Sequence, residues 1–317
     1  MGNKGKVLSK VLKFLLVSLH TDKLQTAFTA GILSPNILFI HQNISEMEKK
    51  RILIVTQEMD PYLNLTQAAK IANSLPKYIQ ENGMEIRVLM PKFGNINDRR
   101  HRLHEVVRLS GINVIINDED YPLVIKVASL PGARLQVYFL DNEDFFKRKN
   151  VFEDENNNFY EDNSDRMIFF CKGTIETVKK FGWSPDIIHC IGWMTSLIPL
   201  YLKTTYKDDP IFTNSKVVYT VSQNSFENKL SKNFADQIQI SESITQKHID
   251  FFKDGDNTSL MIGGSEFADA LIVEEIINEK VSKYVKKTKG KPIFTLTSVD
   301  DSALPLVNDF YQNILAN

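Results

Sequence analysis

The sequence predicts an α/β fold: a single Rossmann-like, doubly wound and mainly parallel sheet, with a β-hairpin insertion. Two observations carry that expectation. From residue 51 to about 290, apolar runs of strand length alternate with stretches of helical periodicity, the order expected when helices cover both faces of a parallel sheet. Several of these runs are continuously apolar rather than alternating, as strands buried on both faces are. The composition agrees, since 43% hydrophobic and 24% charged residues in a chain of 317 describe an ordinary globular protein.

The elements follow in order. Strands are expected at 51–56, 85–90, 112–117, 122–130, 135–140, 186–190, 216–221 and 269–273. A helix should follow the first strand and run through Ala72–Pro76. Residues 103–140 read as the hairpin-rich insertion, with turns at Asn117–Asp120 and Pro131-Gly132. The acidic, asparagine-rich stretch 152–159 should be a surface loop. The clearest helix is 164–182: Met167, Phe170, Cys171, Ile175, Val178 and Phe181 recur at three- and four-residue steps, Ser164 is placed to cap its start, and Gly182 stops it. Lys283–Lys291 reads as a solvated helix end and linker, and 301–315 as a last amphipathic helix.

Three segments are expected: an extension at 1–46, disordered or preceding the true start; a lobe at 47–290; and a helical tail at 291–317. Lys13 breaks the apolar run at 11–17, which is too short to span a membrane. No cleavage site follows it closely, and Met47 opens the chain as an α/β enzyme typically begins. A formal net charge of −1 gives no electrostatic case for nucleic-acid or membrane binding. Two cysteines, Cys171 and Cys190, cannot build a disulfide framework, which fits a reducing cytoplasm.

Ordered blocks then carry a specific likeness. Residues 51–61 form a strand followed by Gln57-Glu58-Met59-Asp60-Pro61; Tyr160-Glu161-Asp162-Asn163 leads to Arg166 and Phe169-Phe170; Phe181-Gly182-Trp183-Ser184-Pro185-Asp186 leads to His189; Lys216–Val221 and Gly263, Phe267, Ala268 and Asp269 complete the series. From Met47 to about Tyr284 the chain resembles the N-terminal lobe of the glycogen and starch synthases. The resemblance implies one lobe of a two-lobed glycosyltransferase-B fold. In that family the N-terminal lobe holds an α-1,4-glucan, the C-terminal lobe holds most of ADP-glucose, and glucose passes between them with retention.

Where that family places its chemistry, this chain differs. The donor-loop lysine position is Asn64, the glycine pair is Thr66-Gln67, and the following leucine is Ala68. Glycines there would let the backbone approach a diphosphate; Thr66 reads as a helix cap. The family's active-centre histidine position is Ile191, its neighbouring Asp is Gly192 and its second histidine is Met194. Isoleucine can neither donate to a sugar hydroxyl nor stabilise a developing charge, so no catalytic residue is assigned. His189 and Trp193 persist, and His189 is either a ligand contact or a structural histidine. His189 and Cys190, being adjacent in a strand, should face opposite ways and form no nucleophile pair. Ser222 and Gln223 stand at a strand's carboxyl end and either bind sugar hydroxyls or only turn the chain. Tyr160, Asp162 and Asn163 form the best-kept polar cluster: the aromatic either faces a glucan or, with its neighbours, locks the helix that follows.

The family's second lobe has no counterpart before the chain stops at 317. The resemblance therefore implies a glycogen/starch synthase-like protein that transfers little glucose alone. It would bind an α-glucan or ADP-glucose weakly, or dock on a protein partner of glycogen metabolism. A transferase half completed by a separate chain and a non-enzymatic scaffold are the other readings. No cofactor or metal is expected.

Overall fold

The first strand, β1 (Arg51–Thr56), lies in the middle of the sheet and is buried along all but its first residue. The structure, a computed structural model, describes residues 49–223, 225–298 and 300–316, of which 51–316 belong to one compact unit; the expectation for 1–46 lies outside the described residues. Helix α1 (Ala68–Glu81) follows β1 and packs on it and on β2 (Glu85–Pro91). Its buried stripe is Ala69, Ile71, Ala72, Leu75, Pro76 and Ile79, the spacing of one helical face.

The insertion holds β3 (His104–Glu105), β4 (Ile112–Ile116) and β5 (Glu119–Ser129), and leads into β6 (Gln136–Asp141). Asn117 and Asp118 both have positive φ, 51° and 64°, as a two-residue hairpin turn between β4 and β5 requires. Helix α2 (Asn163–Phe181) comes next and ends on Gly182 at φ 61°, the left-handed stop expected of glycine. Then follow β7 (Ile187–Ile191), a 3-10 turn at Trp193–Thr195, α3 (Leu197–Lys203), β8 (Lys216–Val221), α4 (Asn257–Phe267), β9 (Ala270–Glu274), α5 (Glu279–Lys287), β10 (Ile293–Leu296) and α6 (Ala303–Ala316).

The ten strands make one sheet in the order β10-β9-β8-β7-β1-β2-β6-β5-β3, with β4 beside β5. Every pair from β10 to β6 is parallel, and the insertion adds the antiparallel part. His189 and Cys190 separate the two faces: the first meets Tyr311 of α6, the second lies beside Cys171 of α2. All the parallel strands therefore send their carboxyl ends to one edge. Among the described residues no helix is long and apolar enough to cross a membrane.

Three details depart from the sequence expectation. Ser164 does not cap α2. The helix begins at Asn163, the capping position falls to Asp162, and the Ser164 hydroxyl is buried without a partner. The Asp162 carboxylate is instead drawn to Arg148, with contacts of 2.7 and 2.6 Å. Strands β3 and β10 were absent from the expectation: β3 is only two polar residues, and β10, though three of its four residues are apolar, is too short to show a period. Beyond α5, the chain carries β10 parallel to β9, and α6 packs beside α1.

Candidate functional site at the carboxyl edge of the sheet

Among the described residues, two cavities open along this edge, where open α/β sheets bind ligands. The first, of about 320 Å³, lies where the start of α1 meets the ends of β8, β9 and β10. It brings together Thr66 and Gln67 with Ser222 and Gln223, four residues singled out from the sequence. The second, of about 710 Å³, lies between 157–161 and 228–233 and contains Tyr160. Asn64 is exposed and lines neither.

The loop before α1 is organised by Glu58. Its carboxylate accepts from the backbone N–H groups of Leu65 and Thr66, each at 2.7 Å, and from the Thr66 hydroxyl at 2.8 Å. The Thr66 oxygen in turn accepts from the Ala68 N–H at 3.1 Å; the capping position itself is Gln67, whose side chain makes no capping bond, so Thr66 closes a turn before the helix rather than capping it. An internal carboxylate thus takes up two N–H groups of the loop that leads into α1. Among the described residues lining this cavity, Glu274 and Glu275 are the charged ones. Burial raises the pKa of Glu274, which accepts from the Gln223 N–H at 3.1 Å.

The floor of the edge is closed as well. Ile191 is 1% exposed. Gly192 has φ 90°, and a β-carbon there would lie 2.6 Å from the Gln57 side chain. Gln57 is buried, and its amide oxygen accepts from the Met194 N–H at 3.2 Å.

Other sequence candidates are internal. His189 is 1% exposed, with Thr220 Oγ1 2.6 Å from Nε2 and the Tyr311 hydroxyl 2.6 Å from Nδ1. Both ring nitrogens are thus engaged inside the protein, and desolvation pushes its pKa down to about 3. Burial rather than drift removes His189 from the ligand-contacting set. Trp193 is also buried, packed against Phe152 and Phe226 at 4.9 Å each, so it offers no open face to a sugar. Asn163 is buried between Phe152 O and Arg166.

Arg166 is fully enclosed and donates to Phe145 O, Val151 O and Asn163 Oδ1, and desolvation lowers its pKa to about 10. It ties α2 to the preceding loop. Tyr160 is half-buried, with the Arg148 and Arg166 guanidiniums over its ring at 4.5 and 5.5 Å. Its ring is thus already partly engaged by cations, yet it still borders the second cavity.

Sequence reasoning missed Gln57, Glu58, Glu274, Glu275, Thr297 and Ser298 as site residues. Glu274 and Glu275 could have been found, since they sit at the carboxyl end of an expected strand. Thr297 and Ser298 follow β10, a four-residue strand that the sequence expectation did not include.

Comparison with known proteins agrees with this geometry. Residues 51–284 match the family described as the starch synthase catalytic domain. The glycogen synthase of Chlorobium limicola is 38% identical over 222 residues, covering 70% of this chain and 45% of that protein. That of Chlorobaculum parvum is 33% identical over 272 residues, covering 84% and 52%. The chain spans about half the length of these relatives. The catalytic domain of starch synthase IV from Arabidopsis thaliana, solved with ADP and acarbose, superposes with a TM-score of 0.64 at 16% identity, over 81% of this chain and 53% of that one. The fold is that of a glycosyltransferase-B lobe, and the chain belongs to the starch synthase catalytic domain family.

Proposed function

We propose that the chain is a glycogen/starch synthase-like protein that binds an α-glucan and, by itself, transfers little or no glucose from ADP-glucose. The observation that carries this reading is the Glu58 clamp, which occupies the N–H donors where a diphosphate would seat. A cavity whose charged lining is acidic adds repulsion to that loss. The second cavity, with Tyr160 and four asparagines among its lining, supplies the amide donors and acceptors that sugar hydroxyls need. Two buried, free cysteines fit a cytoplasmic protein.

Calorimetric titration with maltoheptaose and with ADP-glucose tests the reading. Heat with the glucan and none with the nucleotide sugar is expected. Tight ADP-glucose binding, or glucose incorporation into glycogen by this chain alone, overturns it.

One observation favours a second reading. Leu65 and Ile276, beside the first cavity, are 42% and 69% exposed, an apolar rim suited to another surface. A separate second-lobe chain or a partner protein of glycogen metabolism would cover it. Glucose incorporation that appears only when such a lobe is added would establish a divided transferase, while a stable inactive complex would establish a scaffold.

A further inference from the structure

The first cavity has a chemistry of its own. Its described lining contains two carboxylates, Glu274 and Glu275, and no lysine, arginine or histidine. Glu58 stands directly behind Thr66 in its wall. The remaining polar lining is hydroxyl and amide: serines and threonines of three different loops, with Gln67 and Gln223. These groups donate and accept, as a polyol's hydroxyls demand. The Ser222 hydroxyl and the Gln223 N–H both face Glu274 and hold that carboxylate in the cavity wall. Ile276, 69% exposed, offers an apolar surface for a sugar's C–H face. Thr297 and Ser298 lie outside the family-matched residues 51–284.

We propose that this cavity binds a small polyol bearing a positive charge, a single-ring amino sugar, and turns phosphorylated sugars away. Its ammonium group would meet Glu274 and Glu275, and its hydroxyls the serine, threonine and glutamine side chains. The volume of about 320 Å³ is at the small end of ligand sites. The proposal rests on the reading that this loop no longer serves a diphosphate.

The test is titration of the full chain at about pH 6 with glucosamine, glucose and glucose 6-phosphate, with maltoheptaose and ADP-glucose in parallel. Glucosamine should bind about tenfold tighter than glucose, and glucose 6-phosphate should not bind. Glu274→Gln keeps an acceptor for the Gln223 N–H while removing the charge. It should bring glucosamine down to the level of glucose and leave glucose itself unchanged, and Glu275→Gln should act in the same direction. Glucose binding as tightly as glucosamine, or glucosamine affinity unmoved by both variants, overturns the proposal. Maltoheptaose binding alongside silence to glucosamine sinks this inference alone. Tight ADP-glucose binding sinks the reading beneath it too.

Discussion

Gln57 fills the space that a side chain on residue 192 would need. A β-carbon on Gly192 would lie 2.6 Å from both Cδ and Oε1 of Gln57, while that same Oε1 accepts from the Met194 N–H. The two positions are 135 residues apart in the chain (192 − 57) but are set side by side because β1 and β7 pair in register, Thr56 opposite Ile191. A glycine at the strand's carboxyl end therefore allows a neutral amide to seal the floor beneath the ligand edge.

Gly192→Ala should be strongly destabilising, because it meets both this contact and a φ of 90°. A loss of about 2–4 kcal/mol is expected from strain and overpacking together. Urea unfolding of the single variant and of Gly192→Ala in a Gln57→Ala background separates the two causes. Removal of the Gln57 side chain should recover the steric part and leave the backbone part.

The His189 site should make stability fall in acid. Its folded-state pKa is about 3 against an ordinary 6.5, so between these values the unfolded chain binds a proton that the folded chain does not. Stability is then fully present above about pH 6.5 and lost progressively as pH falls toward 3. Unfolding free energies measured from pH 7 to 4 should fall less steeply in His189→Gln, which has nothing to titrate there.

Tyr311→Phe leaves one nitrogen of a buried imidazole without its partner, at a cost of about 1–3 kcal/mol. Thermal unfolding of the wild type, Tyr311→Phe, His189→Gln and the double variant should give a non-additive cycle. Strict additivity would mean that α6 is held by apolar packing alone.

Glu58→Ala frees two backbone N–H groups and the Thr66 hydroxyl at the start of α1. It should lower stability by about 1–3 kcal/mol and raise affinity for inorganic pyrophosphate severalfold, since it removes a carboxylate and frees two N–H groups just before the positive end of the helix. Titration with pyrophosphate reads this directly, and unchanged affinity would show that the clamp does not govern anion binding.

Arg166→Lys should be far from conservative. The guanidinium makes three donations in fixed directions to Phe145 O, Val151 O and Asn163 Oδ1, and an ammonium on a flexible stem cannot reproduce that fork. A loss of about 3 kcal/mol or more is expected, with early protease cleavage in 145–163 as the local readout.

Most of the framework could be read from the chain because its signals are local. The apolar run 216–221 coincides with β8, and the spacing from Met167 to Phe181 marks α2 to within a residue. The carboxyl-end rule placed Ser222 and Gln223 at the ligand edge, and both line the first cavity. His189 takes the structural one of its two readings and Trp193 is enclosed, because a strand-end position does not reveal which face is later covered. His189 is covered by a tyrosine 122 residues away.

The sequence alone determined the period of each strand and helix, hence a parallel sheet with helices on both faces, and which residue types, Asn64, Thr66, Gln67 and Ile191 among them, stand along its carboxyl edge. The tertiary structure alone decided what those residues meet: Glu58 on the loop's N–H groups, Gln57 against Gly192, and carboxylates at the end of β9 beside hydroxyls after β10. The physical reason is that side-chain period is a property of neighbouring residues. Hydrogen bonding and charge are settled by whichever groups folding brings within reach, and the Gln57 contact to Met194 spans 137 residues of chain.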